Sequence, residues 1–315
     1  MPMTIFAPSE IVEIGSSSIH LEHRSKRWGF ERKELEFHKH FGSSPLVIAV
    51  IWEDLCRTKR VKKKERNEKG MRAFLVAHHF LWTHPKNLEQ VASRFDIGRS
   101  HSCGDPVWKW MQRIQSMKEE KIKWLDDIDE IYAASADGVD FKIWEKKHPK
   151  CNIDRKACSH KFNSCAAKCL IALSVHKAKC VLMAGPFDGG VGDLEMMELS
   201  GLKELLIRLQ KKAILDRGFF SRDPVERETH CHPSEIDSKE LHNFKSRVRL
   251  RHETFNRRLA HFEALSNTFR HGTEKHEMAF EAIVVIVQCQ MDNGSPIFTA
   301  QIELTVFSFH FVAFH

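Results

Sequence analysis

The chain has 315 residues, of which 42% are apolar, and this is enough for the core of one large domain or two ordinary ones. Basic residues exceed acidic ones by a formal net charge of +7, which mildly favours a polyanionic partner such as nucleic acid. The composition excludes a disordered chain, and the lack of about eighteen uninterrupted apolar residues excludes a transmembrane helix.

The cysteines favour an intracellular, reducing location. Their number, nine, is odd, and the opening sequence MPMTIFAPSE has neither the basic nor the apolar region of a secretory signal. A structural zinc site is an alternative use of the cysteines and histidines. No two cysteines have CxxC spacing, however, so the usual arrangement of zinc ligands disfavours that alternative, and we expect reduced thiols.

The first 82 residues predict a polar arm and two helices that flank a basic run. Residues 1–45 lack a sustained hydrophobic period and are interpreted as an N-terminal arm, either extended or made of loosely packed helices. The segment 44–56 (SPLVIAVIWEDLC) predicts a buried helix that begins at its Ser-Pro pair. The run at 57–69 (RTKRVKKKERNEK) is either a solvated linker or helix face, or a patch for nuclear import or phosphate contact. The stretch 71–82 (MRAFLVAHHFLW) predicts a helix whose adjacent histidines are core-edge residues, because neighbouring side chains on a helix point apart.

Residues 71–117 are typical of a helix-turn-helix. Apolar positions from 88 to 95 predict a short helix, and a tight turn follows at 96–98. A second helix is predicted to begin at Asp105-Pro106, although the glycine that precedes this pair argues against a long recognition helix. Residues 46–127 are therefore interpreted as an α-helical, helix-turn-helix-like DNA-binding region.

From residue 128 the sequence alternates between strand and helix patterns. Short apolar or alternating runs predict strands, and longer runs with a helical period predict helices. In chain order the predicted elements are a strand at 128–145, two strands within 169–187, a helix at 193–212 capped by Asp193, a strand at 213–220 and a basic helix at 244–265. This order indicates an α/β domain of three layers.

Three carboxylates stand at element ends or within the basic helix: Asp137, Asp216 in the sequence AILDRGFF, and Glu253. Each has a structural explanation by itself, since both aspartates adjoin glycine-containing turns and Glu253 is surrounded by arginines. Together they could hold two Mg²⁺ or Mn²⁺ ions about 4 Å apart, which would activate a water or a 3′-hydroxyl for attack on a phosphodiester.

The motifs around these acids resemble the DDE-superfamily endonuclease domain of Harbinger-type transposases. The resemblance covers residues 133–298 and rests on four motifs in order: DG at Asp137, the G-x-x-x-x-G-x-G-D run that ends at Asp193, LDRGFF around Asp216, and RLRHETFNRRL around Glu253. It implies that Asp137, Asp216 and Glu253 are the catalytic ligands of two Mg²⁺ or Mn²⁺ ions. It also implies an auxiliary role near the site for Asp193.

The resemblance further implies how the chain is organised and what it binds. It predicts an α/β fold with a ribonuclease H-like domain at 128–298, preceded by the helix-turn-helix region and followed by a C-terminal tail at 299–315. DNA is the implied partner, and a separate element-encoded DNA-binding protein often assists such enzymes. We expect a nuclear protein that is able to form homo-oligomers and has no membrane partner. The predicted phosphate contacts are four arginines of the basic helix: Arg249, Arg251, Arg257 and Arg258.

The implied activity is that of an endonuclease and transposase. Water would cleave a phosphodiester at the element end, and the freed 3′-hydroxyl would attack target DNA. The alternative is a host-adopted relative that has lost catalysis and binds DNA or a protein. One departure bears on this choice: Ala260 stands where many relatives have a lysine, seven residues after the glutamate. The apolar segment 302–315 is either a late strand or an accidental terminus.

Overall fold

The computed structural model describes residues 6–21, 27–97, 100–125, 130–144, 155–220, 229–234 and 237–300. The predicted tail segment 302–315 lies outside this range. Helices precede the first strand: α1 (Pro8–Ser18), α2 (Phe30–Phe41), α3 (Pro45–Arg57), α4 (Glu68–Thr83), α5 (Leu88–Arg94), α6 (Ser100–Gln115) and α7 (Lys118–Lys121).

The segment interpreted as an N-terminal arm forms two helices of this helical layer, and the Ser-Pro pair begins the next one. Helices α1 and α2 bury apolar side chains such as Ile11 and Phe41. Helix α3 begins where the sequence predicts, because Ser44 Oγ accepts a hydrogen bond from the amide of Val47 at 3.3 Å and Pro45 takes the first helical position.

The predicted recognition helix differs from its expected form. Helix α6 begins at Ser100 instead of Asp105, and it contains Pro106, whose ring costs the helix one backbone hydrogen bond. Tertiary packing compensates, because the later turns of α6 bury their apolar face among α4, α5 and the C-terminal helix; the buried residues are Val107, Trp110, Met111 and Ile114. Lys109 is exposed but pairs with Glu65 at 2.7 Å. The apolar face of α6 is therefore buried against other helices of the protein.

The basic run at 57–69 combines local ion pairs with a solvated surface. Arg57 pairs with Asp54 of the same helix at 2.6 Å, and Arg60 pairs with Glu120 of α7 at 2.8 Å. The lysines of the run are exposed to solvent: Lys59, Lys62, Lys63, Lys64 and Lys69. Their contact with phosphate stays a prediction.

A mixed six-stranded sheet forms the second part of the molecule. Its strands are β1 (Tyr132–Lys142), β2 (Cys158–Ser159), β3 (Ser164–Ser174), β4 (Cys180–Asp188), β5 (Lys212–Ile214) and β6 (His230–Cys231). The main order is β4-β3-β1-β5-β6, and the short β2 pairs with the beginning of β3. Strands β4, β3 and β1 are antiparallel neighbours, whereas β5 runs parallel to β1 and β6 runs parallel to β5. The strands predicted within 128–145 and 169–187 are confirmed as β1, β3 and β4. The strand predicted at 213–220 ends at Ile214, and a 3-10 turn over Arg217–Phe219 replaces its second half.

Helices cover both faces of the sheet and make the predicted three-layer α/β arrangement. Helices α8 (Asp193–Leu199) and α9 (Leu202–Leu209) pack on the face that carries Ala134, Ala136 and Leu215. Helices α10 (Lys239–Ala260), α11 (Glu263–Ser266) and α12 (Thr273–Asp292) lie on the opposite side.

One predicted helix is two helices. The pattern over 193–212 suggests a continuous helix, but Gly201 adopts a positive φ of 72° that ends α8 and starts α9. Asp193 is the first residue of α8 and makes no cap, since Gly192 is the N-cap. The predicted capping role of Asp193 is therefore wrong, and its carboxylate has another partner, described below.

Helix α12 was not assigned from the sequence and contributes much of the core. Its residues from Ala279 to Val287 are buried, and they join the N-terminal helices and one face of the sheet in a single apolar cluster. Glu281 on α12 accepts hydrogen bonds from Gln115 at 2.8 Å and from Lys118 at 2.7 Å. The core therefore crosses the domain boundary that was predicted near residue 127.

Free thiols within the described segments include Cys56, Cys158, Cys165, Cys169, Cys180, Cys231 and Cys289. No helix among the described residues is both long and apolar enough to cross a membrane.

Candidate active site

Asp137 lies in the middle of β1, on the face of the sheet that α10 covers. Successive side chains of a strand alternate between faces, so Asp137 shares a face with Ser135. Ser135 is aligned with Ile214 of β5, and Ile214 packs against Phe244 and other apolar residues of α10. The alternation in the sequence thus directs the half-buried carboxylate of Asp137 toward the basic helix.

Asp216 lies beside Asp137 because of the strand register. Strands β1 and β5 are parallel, and Ser135 is aligned with Ile214, so the residues two positions later are neighbours as well. Asp216 also keeps the turn role that AILDRGFF suggests: its Oδ1 accepts the amide of Arg217 at 2.5 Å at the start of a 3-10 turn over Arg217–Phe219. Its side chain is 51% exposed. The turn and the site therefore use the same carboxylate.

Glu253 reaches the same place from α10. Ser238 is the N-cap of this helix, and its side chain accepts a hydrogen bond from the amide of Leu241 at 3.2 Å. The apolar stripe of the helix packs on the sheet and consists of Phe244, Val248, Phe255 and Leu259. The spacing of that stripe leaves Arg249 and Glu253, one turn apart, on an adjoining face at the sheet edge. Glu253 is exposed.

These elements enclose a cleft of about 110 Å³. Its lining residues are Ala136, Asp137, Asp216, Arg249, His252 and Glu253. The cleft would hold a few water molecules, at about 30 Å³ each, or hydrated cations in their place. All three carboxylates predicted from the sequence therefore meet in one small, open, polar cavity.

An ion pair occupies part of this cleft. Arg249 Nη2 lies 2.8 Å from Asp216 Oδ1, and the two side chains are 41% and 51% exposed. A pair this exposed contributes only about 0–1 kcal/mol to stability, so a divalent ion or a phosphate could displace either partner. Arg249 pairs with the strand carboxylate and not with Glu253, the partner that helical spacing alone suggests.

Two residues that were not predicted support the cleft from α10. Asn256 Nδ2 donates a hydrogen bond to Asp137 Oδ2 at 3.0 Å. His252 is 3% exposed, and its ring nitrogens make no well-formed hydrogen bond within the described part of the chain. Burial lowers the pKa of His252, and the charge of Asp137 and the backbone of Ser135 oppose this shift. Both residues could have been predicted from the sequence, because they lie within one helical turn of Glu253.

Asp193 does not line the cleft but lies close to Gly138 and Gly218, the glycines that follow its two strand carboxylates. Its Oδ1 accepts from Lys168 Nζ at 2.8 Å. A methyl group added to Gly218 would lie 2.1 Å from Asp193 Oδ2, and one added to Gly138 would lie 3.6 Å from Oδ1. The glycines that follow Asp137 and Asp216 thus let the chain approach this Asp193–Lys168 pair closely.

The four arginines predicted to contact DNA phosphates have different surroundings. Arg249 lines the cleft, and Arg257 is exposed on α10. Arg258 donates to the backbone carbonyls of Ser295 and Pro296. Arg251 is fully buried, and burial lowers its pKa to about 10.

The prediction for Arg251 is corrected by its hydrogen bonds. Its guanidinium donates to the carbonyls of Ser174, Val175 and Lys177 at the turn between β3 and β4. A buried guanidinium with these partners is a structural bond between α10 and the sheet, and it is not available to DNA.

The donor set of the cleft fits a hard divalent cation. Carboxylate oxygens are the ligands that Mg²⁺ and Mn²⁺ prefer, and Asp137, Asp216 and Glu253 supply them from three separate elements. Within the described residues, however, no three acidic, histidine or cysteine side chains are already close enough together to hold an ion. Binding would therefore require the exposed side chains of Asp216 and Glu253 to change rotamer.

No protein-family model matches the chain, and no curated protein or solved structure is detectably similar to it. The chemistry of the cleft is therefore the basis for assigning a function.

Proposed function

We propose that the chain is a metal-dependent DNA endonuclease of the DDE type, with the transposase activity that its motifs imply. The observation that carries the proposal is the cleft itself: Asp137, Asp216 and Glu253 are far apart in the sequence but line one cavity of about 110 Å³. Polar side chains brought together in a cleft from several elements are the usual construction of an active site.

The sheet supports the ribonuclease H-like part of this proposal. Three antiparallel neighbours, β4, β3 and β1, are extended by the parallel strands β5 and β6, with helices on both faces. The carboxyl end of β5 therefore lies beside the middle of β1, where Asp137 stands.

Each polar group of the cleft has a role in the proposed reaction. Asp137, Asp216 and Glu253 would hold the ions, which when bound supply an activated water or hydroxyl and stabilise the leaving oxygen. Asn256 orients Asp137 through its hydrogen bond. Arg249 is positioned to release Asp216 and bind a DNA phosphate in its place, which would offset part of the charge of the three carboxylates.

A non-catalytic DNA-binding or protein-binding relative is the second candidate. The specific observation in its favour is the Arg249–Asp216 ion pair, in which the arginine compensates the charge of a carboxylate that a metal ion would otherwise use. Ala260, at the place of a lysine in many relatives, points the same way.

Asp216→Asn distinguishes the two candidates. The amide keeps the size of the side chain but loses the charge that would bind a cation, so nicking of supercoiled DNA with Mg²⁺ or Mn²⁺ should fall at least about a hundredfold while DNA affinity is retained. Asp188→Asn, at the exposed end of β4, is the matched control and should nick normally. Binding of DNA by the wild type without cleavage under either metal would instead establish the non-catalytic candidate.

A further inference from the structure

A second cluster of side chains, outside the cleft, lies at the far end of β1. It combines two aromatic rings with three cations and is called here the terminal platform: Lys142, Trp144, Lys161, Phe162 and Arg270. Among the side chains that the structure describes, Trp144 is the most exposed large apolar one, at 61%. Its exposed indole, next to several cations, is available for a stacking contact.

The backbone holds the terminal platform rigidly. The amide of Trp144 donates to the carbonyl of Phe269 at 2.7 Å, and the amide of Phe269 donates to the carbonyl of Lys142 at 2.9 Å. Phe269 itself is 1% exposed and stacks on the His84 ring at 5.1 Å. Trp144 and Arg270 are therefore fixed side by side by chain segments that are anchored in the core.

Cations lie over both rings, and the indole of Trp144 still remains 61% exposed. The Arg270 guanidinium lies 5.7 Å from the centre of the Trp144 ring. Lys142 and Lys161 lie 4.9 Å and 5.7 Å from the centre of the Phe162 ring. Lys142 and Trp144 are two residues apart in extended chain, so they point to the same side and join the two pairs into one surface.

We propose that the terminal platform binds single-stranded DNA, with an unpaired base stacked on Trp144 and adjacent phosphates bound by Arg270 and the two lysines. An open aromatic face bordered by cations is the usual construction of single-strand sites, because every base can stack and every nucleotide carries a phosphate. A protein partner is the weaker explanation, since lysine is depleted at protein–protein interfaces.

The terminal platform is a surface separate from the cleft. Trp144 follows Asp137 by seven residues, which corresponds to roughly 23 Å along extended chain. Side chains alternate between faces along a strand, so this odd separation puts Trp144 and Asp137 on opposite faces of the sheet. This inference extends the proposed function, but DNA binding at the terminal platform requires neither metal nor cleavage.

The test measures the affinity of the full chain for a labelled oligo(dT) of about 12 nucleotides by fluorescence anisotropy, in EDTA and over a range of salt concentrations. Trp144→Ala should weaken binding about 5- to 100-fold and leave the salt dependence unchanged, because the indole carries no charge. Trp144→Phe should restore part of the loss. Arg270→Gln should reduce the slope of log affinity against log salt by about 0.7, the value for one phosphate contact on a single strand.

The Trp28–Arg32 pair provides the matched controls, because Arg32 lies 4.8 Å from the centre of the Trp28 ring on α2 and its flank. Trp28→Ala and Arg32→Gln should leave both the affinity and the salt slope unchanged. Equal losses in the two pairs, or no loss with Trp144→Ala, would overturn the proposal. An equal or larger effect of Trp144→Ala on binding of the corresponding duplex or of a polyglutamate peptide would also overturn it. None of these outcomes depends on nicking, so the inference and the nuclease proposal can fail separately.

Discussion

Asp137 and Asp216 are held by different kinds of partner, and this difference matters for the chemistry of the cleft. Asp137 is half-buried and receives a neutral hydrogen bond from Asn256 at 3.0 Å, which leaves its charge uncompensated. Asp216 is more exposed and pairs with the cation of Arg249. We infer that Asp137 is the pre-oriented ligand and that Asp216 becomes available only when Arg249 moves.

Asn256→Ala tests the orientation of Asp137. Without the amide, Asp137 gains rotamer freedom, and loss of such an outer hydrogen bond typically weakens metal binding 10- to 100-fold. The Mg²⁺ concentration for half-maximal nicking should rise by at least about tenfold, with little change in rate at saturating metal.

Thr254→Ala is the control for that experiment, since Thr254 lies on the same helix and its hydroxyl donates to the Leu250 carbonyl of that helix at 3.2 Å. It should leave the metal dependence unchanged. An unaltered Mg²⁺ requirement in Asn256→Ala would show that Asn256 does not position Asp137 for metal.

Helix α10 is the element in which one segment serves the core, the cleft and the surface. Its apolar stripe packs on the sheet, Arg249 and Glu253 line the cleft, and Arg257 is exposed. Arg251 on the same helix is bound to carbonyls of the β3–β4 turn. The arginine-rich sequence thus combines a structural residue with residues suited to phosphate contact.

Substitution of Arg251 and Arg257 should separate these roles. Arg251→Ala leaves three carbonyls without their donor, at about 1–3 kcal/mol for each buried unsatisfied group, so we expect destabilisation of about 3 kcal/mol or more in urea unfolding. Arg257→Ala should change stability by less than about 0.5 kcal/mol. It should instead lower the salt slope of duplex binding by about 0.9, the value for one phosphate contact. A stable Arg251→Ala protein with weakened DNA binding would reverse this assignment.

At the scale of the whole molecule, buried histidines make stability depend on pH. Burial lowers the pKa of His78 to about 3 and the pKa values of His79, His84 and His276 to about 4. The ordinary histidine pKa in the unfolded chain is 6.5. Between 6.5 and about 4 the unfolded chain therefore binds more protons than the native protein, and stability should fall as pH falls through this interval.

His78→Leu tests this dependence. The His78 ring is fully buried and packs edge-on against Phe74 at 4.7 Å, so leucine removes a titrating group from an apolar site. The loss of unfolding free energy between pH 6.5 and 4 should become shallower by up to about 1.4 kcal/mol per pH unit. His242→Leu, at an exposed position of α10, should retain the wild-type slope in the same urea titrations. Equal slopes in the two variants would contradict the expectation.

The apolar core also joins parts of the chain that the sequence separates. Helix α12 packs with α3, α6 and α7 as well as with β4, and Glu281 binds Lys118 across the predicted boundary near residue 127. Composition changes at that boundary, but composition does not show which apolar faces pack together. The helix-turn-helix interpretation did not anticipate that the apolar face of α6 packs against α12, because that packing also joins distant parts of the chain.

Local pattern alone determined the strands β1, β3 and β4, the start of α3 after Ser44, and most of the basic helix α10. These follow from periodicity and caps, which are properties of neighbouring residues. The three acids that line the cleft were singled out by the order of motifs that resemble a transposase family, because each acid alone has a local structural explanation. Only the tertiary structure decided that Asp137 and Asp216 are adjacent, that Arg249 pairs with Asp216, and that Arg251 is buried. Strand register and helix docking depend on residues far apart in the chain, and a helical or alternating pattern shows that a face is apolar without showing what covers it.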